Sequence, residues 1–448
     1  MNIQKIEITN FRGIHTLSHD MHPKMNVLVG ENGVGKSSLL DALAIILSRV
    51  VSLIRVGKNS GRNISASDIS VNKPFSKIQL TLADYPRKKT YACFISKTIA
   101  GAKKKSKKET QPEKSQSIQR YTEKIRDEIH RTLKNCSIPI IIYYQSSRVA
   151  LNFPKFIRTD VDFSLLSVYR DSLSCKADYR VLLEWMRERE SVEDKAFRKM
   201  MRENEKLLSQ QENLSHLDLS QLQRDYRDKQ LEAVRHVWSQ FMPELSEFSI
   251  EMNPLRLEAQ KNGVLFSINQ LSDGEKSLLA MVGDIARRLA IANPTLKNPL
   301  EGEGIVMIDE IDLHLHPQRQ RMIVPKLQEV FPNCQFIVAT HSPQILGHVY
   351  ADSILLFYMD EDGVVQTRKP DESFGMTSNE ILEDIMNVPS RNSDEERKLL
   401  KLFELIERRR LTEAKALIEE IRQYRQSEPK LLAADARIRR LEMKGDER

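Results

Sequence analysis

Four cysteines in 448 residues, Cys93, Cys136, Cys175 and Cys334, are too few and too scattered for a disulfide framework. None falls at C-x-x-C spacing, so they read as free thiols of a reducing compartment, the cytoplasm, rather than as a metal site. No apolar run approaches the ~20 residues needed to cross a bilayer, which argues against a membrane span. The N-terminus carries no apolar stretch of the kind a secretory signal needs, so export is not expected. Glycine is scarce too, 16 in all, yet three fall between positions 30 and 35. What the chain has in quantity is charge. The net of +7 is uneven: residues 1–150 hold 26 Lys/Arg against 11 Asp/Glu, and the remainder is net −8. A basic first lobe is compatible with nucleic acid passing nearby. Part of that excess sits in the lysine-rich segment Gly101–Gln119, which reads as a solvated loop. A chain of this length is expected to form two or three lobes.

The glycines at 30, 33 and 35 belong to Gly-Glu-Asn-Gly-Val-Gly-Lys-Ser, residues 30–37. An apolar run from Met25 to Val29 precedes it, and a stretch with helical spacing, Ser38 to Leu43, follows. Strand, glycine-rich loop and helix with Lys-Ser at the hinge form the context of a phosphate-binding P-loop. Backbone N–H groups must wrap an anion without Cβ obstruction, and the helix N-terminus adds partial positive charge. Lys36 is then placed to reach the β- and γ-phosphates of ATP, and the Ser37 hydroxyl to ligate Mg²⁺. Asn32, Gly33, Gly35 and Ser38 complete the cradle. A chance match of four fixed positions is expected at a rate on the order of one in a hundred.

Elsewhere the periodicity places elements. Residues 2–9 alternate with period 2, Asn10-Phe11-Arg12-Gly13 makes a turn, and Lys77–Leu82 and Tyr91–Thr98 alternate again, together an antiparallel sheet. Tyr121–Leu133 has helical spacing. Ile138–Tyr144 reads as a buried parallel strand, with Gln145 and Arg148 beyond its C-terminal end, where such sheets meet ligands. Residues 178–242 predict two to four helices. Phe248–Leu257 and Val264–Asn269 predict a hairpin returning the chain to the sheet. From Ser378 to Leu441 a small helical bundle is expected, broken at Pro389 and Pro429.

Three further stretches carry chemistry. Ser272 and Glu275 form a capping box ahead of a long helix, but capping does not ask for Gly274 between them. Gly304–Ile308 is a buried strand that ends in Asp309-Glu310, a Walker B pattern. Two acids at a strand end cost several kcal/mol unless a cation or strong donors meet them. Asp309 would hold Mg²⁺ and Glu310 would orient and deprotonate the attacking water. Phe336–Thr340 is another buried strand, and it delivers His341, a candidate γ-phosphate contact. His314, His316 and His341 lack a convergent Cys/Asp set, so zinc is disfavoured. Asp360 and Asp362 lie in a four-residue hairpin turn, where Asp and Gly serve turn chemistry.

The ordered set of P-loop, Leu271–Lys276, Ile305–Glu310 and His341 resembles the ABC-type ATPase head shared by SMC, RecF and OLD-like ATPases. The resemblance implies an α/β head: a P-loop mixed sheet with an antiparallel β subdomain, a helical insertion and a helical C-terminal extension. The corresponding segments are a first head lobe with the P-loop and antiparallel sheet (1–175), the helical insertion (176–245), a second head lobe with Leu271–Lys276, the Walker B strand and His341 (246–370), and the helical C-terminal partner-docking or oligomerisation region (371–448). It also implies that Arg12, in an Asn-Phe-Arg-Gly match, lies by the nucleotide, and that Gln145 contacts Mg²⁺ and water at the Q-loop position. Ser272, Gly274 and Glu275 would cap the nucleotide of a second copy, making a homodimer or higher homo-oligomer. The compact head, Glu-Ile-Asp-Leu-His-Leu-His-Pro and the helical extension look most like the PtuA-like ATPases of Septu and retron-linked anti-phage systems. Those work with an HNH nuclease. No Toprim glutamate motif and no HNH set occurs here, so any DNA cleavage is expected from a partner. The competing expectation is a RecF-like repair ATPase that clamps DNA and recruits other proteins.

Overall fold

The computed structural model describes residues 1–84, 89–99, 112–133, 135–146, 162–174, 179–208, 227–252, 255–388, 393–423 and 429–445. Its contacts divide into two compact units, Met1–Thr377 and Ser378–Arg448.

In the first unit, β1 (Asn2–Phe11) buries Ile3, Ile6, Ile8 and Phe11; Ile6 and Ile8 share a face by alternation, and a bulge between Ile3 and Lys5 shifts the register ahead of them. It pairs antiparallel with β2 (Ile14–Asp20) and, after β3 (Met25–Gly30) and α1 (Lys36–Val56), with β4 (Phe75–Asp84). β5 (Lys89–Thr98) completes a four-stranded antiparallel sheet of order β2-β1-β4-β5. α2 (Pro112–Arg131) precedes β6 (Ile140–Tyr144), every residue of which is buried. The Lys-rich residues 101–111 lie outside the described residues, as does Arg148.

The helical insertion supplies α3 (Tyr179–Leu208) and α4 (Lys229–Phe241). β7 (Leu245–Met252), β8 (Leu255–Lys261) and β9 (Val264–Ser267) follow. The predicted return hairpin is corrected here. Phe248–Leu257 spans parts of two strands, and β7-β8-β9 form a separate three-stranded sheet rather than joining the main one. Period-2 alternation marks a strand without naming its partner, and chain neighbours pair locally. α5 (Asp273–Ala292) is buried along its length from Ser277 onward. α4 is fastened to it by the Trp238 Nε1–H donating to the Leu279 carbonyl at 2.9 Å.

β10 (Gly304–Ile308), α6 (Pro317–Val330), β11 (Cys334–Thr340), β12 (Ile354–Met359) and β13 (Val365–Arg368) complete the unit. The central sheet has order β13-β12-β3-β11-β10-β6, parallel except for β13. β3, β11, β10 and β6 therefore end at one edge, with their C-terminal residues side by side. α1 and α5 cover opposite faces. Tyr143 and Tyr144, adjacent on β6, send their hydroxyls to Asp41 on α1 and Asp284 on α5, and successive strand side chains point to opposite faces.

In the second unit, α7 (Ser393–Glu407), α8 (Leu411–Arg422) and α9 (Pro429–Gly445) enclose a core of Leu402, Ile406, Ala414, Ile418, Ile421 and Ala434. Pro429 begins α9 rather than ending a helix, because its missing N–H is no loss at a first helical position. Pro389 lies outside the described residues. No described helix is long and apolar enough to cross a membrane.

Candidate functional site

β3 delivers the glycine-rich loop to the C-terminal edge of the sheet. Gly30 has φ +150°, and a Cβ there would lie 2.3 Å from the Phe357 carbonyl oxygen, so only glycine fits between β3 and β12. Gly35, at φ +104°, turns the chain into α1. No side-chain hydrogen bond caps α1, and no acid occupies its first turn. Its leading N–H groups are thus left for an anion. Asn32, Gly33 and Ser37 are exposed, and Ser38 is half-buried.

Lys36 is buried, and its ammonium donates to the carbonyls of Gly30 (2.8 Å) and Glu31 (2.7 Å). Burial lowers its pKa to about 8, although Asp309, Glu310, Asp312 and Glu31 pull it back up. Asp309, Glu310 and Asp312 follow β10, the next strand but one, while Glu31 belongs to the glycine-rich loop itself. Asp309 is 5% exposed, and its N–H donates to the Tyr144 carbonyl at 2.9 Å. Glu310 is half-buried at φ +48°, a left-handed conformation that a glutamate adopts only when its surroundings impose it.

Between these two strands β11 ends in Thr340 and His341. Burial lowers the His341 pKa and the charge on Lys36 adds to this, opposed by Asp312, Glu310 and Asp309. Each of the five groups Lys36, Asp309, Glu310, Asp312 and His341 therefore lies in the field of others. Asp312 was not singled out in the sequence. It accepts the Thr340 hydroxyl at 2.6 Å, and Thr340 Oγ1 in turn accepts the Ser342 N–H at 3.0 Å. This locks the turn that carries His341. The only sequence signal for Asp312 is its place three residues after Asp309. The other two histidines have local roles: His316 Nδ1 accepts the Gln318 N–H at the start of α6, and His314 sits at φ +60°.

The predicted capping box is present at the start of α5. Ser272 Oγ accepts the Glu275 N–H at 3.3 Å, and Glu275 Oε2 accepts the Ser272 N–H at 3.0 Å and its hydroxyl at 2.8 Å. Gly274 has a packing reason that the capping argument missed. A Cβ there would lie 2.0 Å from the His314 carbonyl oxygen, so this turn rests directly on the loop after Asp309-Glu310.

Arg12, at φ +49°, donates through Nη1 to Asp41 (2.5 Å) and through Nε to Asp68 (3.0 Å). Asp41 belongs to α1, so Arg12 joins the first hairpin to the P-loop helix. Gln145 is half-buried and follows Tyr144, which is in register with Ile308. The hydroxyl of Ser37, the carboxylate of Asp309 and the amide oxygen of Gln145 are hard oxygen donors, a set that suits Mg²⁺. Asp360 serves its turn, with Oδ1 accepting the N–H groups of Asp362 (3.1 Å) and Val364 (2.8 Å).

Residues 1–346 match the family described as AAA ATPase domain. The chain is 30% identical over 442 residues to the Retron Ec83 probable ATPase of Escherichia coli, covering 90% of this chain and 79% of that protein. It is 28% identical over 436 residues to the Retron Vc95 probable ATPase of Vibrio cholerae serotype O1 biovar El Tor, covering 91% and 84%. A shorter match, 31% over 138 residues, covers 30% of this chain and 35% of the Septu protein PtuA of Bacillus thuringiensis.

Proposed function

Because this chain belongs to the AAA ATPase domain family and is an ATP-hydrolysing enzyme, we propose that it is the regulatory ATPase of an anti-phage defence complex. In this reading ATP-gated pairing of two heads controls a partner HNH nuclease in the cytoplasm. The observation that carries it is the match to retron ATPases over nine-tenths of the chain, joined to a built hydrolytic edge.

Lys36 leaves the loop carbonyls for the β- and γ-phosphates, with the N–H groups of residues 32–38 around them. Ser37, Asp309 and Gln145 would hold Mg²⁺, which would supply positive charge against the phosphoryl oxygens. Glu310, fixed by its left-handed backbone, orients the attacking water and takes its proton. His341, held by the Asp312–Thr340 pair, contacts the γ-phosphate. Ser272, Gly274 and Glu275 cap the nucleotide of a second copy, so hydrolysis loosens the pairing of heads. The helices of residues 371–448 dock the nuclease or further copies. Turnover in such a device is gating, and it is slow.

Glu310→Gln tests the composite site. It should retain ATP and sediment as a dimer or larger species only when ATP is present. A variant that stays monomeric with saturating ATP would sink the pairing of heads. The second reading, a RecF-like clamp, draws on the basic first 150 residues. It predicts ATP-dependent binding of duplex DNA by this chain alone, and an HNH protein encoded beside it speaks for the first.

A further inference from the structure

A buried polar network lies under the hydrolytic edge, and the chemistry above leaves it unused. Asp284, three turns into α5, accepts the Tyr144 hydroxyl at 2.8 Å. The same carboxylate accepts from Arg287 Nη2 (2.5 Å) and Arg288 Nε (2.8 Å). Arg288 Nη1 also donates to the carbonyls of Val168 and Arg170. Tyr144 is 0% exposed, Arg287 2%, and Asp284 and Arg288 4% each. Three charges this deep are a poor way to stabilise a core, since well-packed apolar residues commonly do as well or better. What the network does accomplish is geometric.

Tyr144 is the last residue of β6, and it is gripped twice. Its hydroxyl is held from α5, while its carbonyl accepts the Asp309 N–H at 2.9 Å. The next residue is Gln145. Asp284 stands twelve residues beyond Ser272, about 18 Å along the same rigid helix. On the other face of β6 the neighbouring Tyr143 is hydrogen-bonded to Asp41 of α1. The end of this strand is thus the place where the P-loop helix, the α5 helix and the first Walker B carboxylate are tied together.

We propose that Tyr144 and Asp284 form a positioning pair, which makes the placement of Asp309 and Gln145 follow the position of α5. The pair rests on the reading of Asp309 and Glu310 as the hydrolytic edge. When a second copy engages the Ser272 turn, any shift of α5 reaches the strand end through the Asp284–Tyr144 bond. The arginines keep Asp284 from relaxing away from the phenol. Engagement by the partner head is thereby reported to the hydrolytic edge of the same head.

The test uses two phenylalanine variants of the full chain. Tyr144→Phe removes one hydroxyl and leaves Asp284 with both arginines. Tyr169→Phe is the control: its buried hydroxyl donates to the Pro139 carbonyl at 2.5 Å, at the opposite end of the same strand. In nucleotide-free protein, hydrogen exchange at the Asp309 amide should be about fivefold faster in Tyr144→Phe than in wild type or Tyr169→Phe. The kcat for ATP should fall about tenfold in Tyr144→Phe, with KM within about twofold, while Tyr169→Phe keeps wild-type kcat. Wild-type exchange at Asp309 together with wild-type kcat in Tyr144→Phe overturns the pair. Equal losses of kcat in the two variants overturn it as well, since the strand would then be a mere support. Glu310→Gln in the same assay separates the two levels. If it is inactive while Tyr144→Phe behaves as wild type, only the pair falls; if it turns over normally, the hydrolytic edge falls and the pair with it.

Discussion

Replacing Lys36 with methionine should stabilise the nucleotide-free protein while greatly weakening its hold on ATP. The side chain is nearly the same length, so the substitution chiefly removes a charge from a buried site. Burial takes Lys36 from its ordinary 10.5 to about 8, even with three carboxylates of the neighbouring loop and Glu31 acting in its favour. Fully expressed, that fall corresponds to about 3.4 kcal/mol. Solvent reaching the open loop screens it, and about 1–2 kcal/mol is the expected gain. Because the folded pKa lies below the unfolded one, the cost is complete below pH 8 and disappears as pH rises toward 10.5. Over that window the unfolded chain binds more protons, so wild type gains stability with pH and Lys36→Met does not. Urea titrations at pH 7 and pH 10 measure this, with the variant ahead at pH 7 and the two converging at pH 10. Binding of a fluorescent ATP analogue should weaken by about a hundredfold, as expected for losing charged hydrogen bonds to phosphate. A variant less stable than wild type at pH 7, or one that binds ATP unchanged, refutes the reasoning.

Three further outcomes are expected. Gly274→Ala should lower stability by about 1–3 kcal/mol, because its Cβ would lie 2.0 Å from the His314 carbonyl oxygen. An unchanged urea midpoint would show that α5 does not rest on that loop. Ser272→Ala removes the hydroxyl of the capping box and should cost about 1 kcal/mol. If Ser272 also caps a second copy's nucleotide, ATP-dependent association in sedimentation disappears with it, whereas capping alone leaves association intact. Arg12→Ala leaves Asp41 and Asp68 without their guanidinium and should cost about 1 kcal/mol in thermal or urea unfolding. Lost ATP binding with no loss of stability would place Arg12 at the nucleotide rather than in the hairpin-to-helix joint.

The parts of the site that were legible in the sequence are those whose cause is local. A loop that needs left-handed backbone requires glycine, and Gly33 and Gly35 both have positive φ. A strand buried on both faces reads as a near-continuous apolar run, so ionisable residues after it stand out, as Asp309-Glu310 and His341 do. A capping box is four residues long and can be read in place. The partner of a strand is not local, which is why alternation alone points β7, β8 and β9 to the main sheet although they pair among themselves. Asp312 is not legible in the sequence for the same reason. Its value depends on Thr340, 28 positions away, and nothing in either segment announces the other. Gly274 has no local cause either: its reason is the His314 carbonyl beneath it.

By itself the sequence determined the chemistry on offer: an anion cradle, a cation-seeking pair of acids, a histidine at a strand end and a well-capped helix. Each follows from steric or solvation rules that act within a few residues. Only the tertiary structure decided that these parts share one edge, since that depends on the order β3-β11-β10-β6 and its parallel register. It also decided that two adjacent tyrosines would bind the α1 and α5 helices to one strand end. Long-range hydrogen bonds of this kind form between groups that no local pattern links, and they appear only once the sheet has brought them within reach.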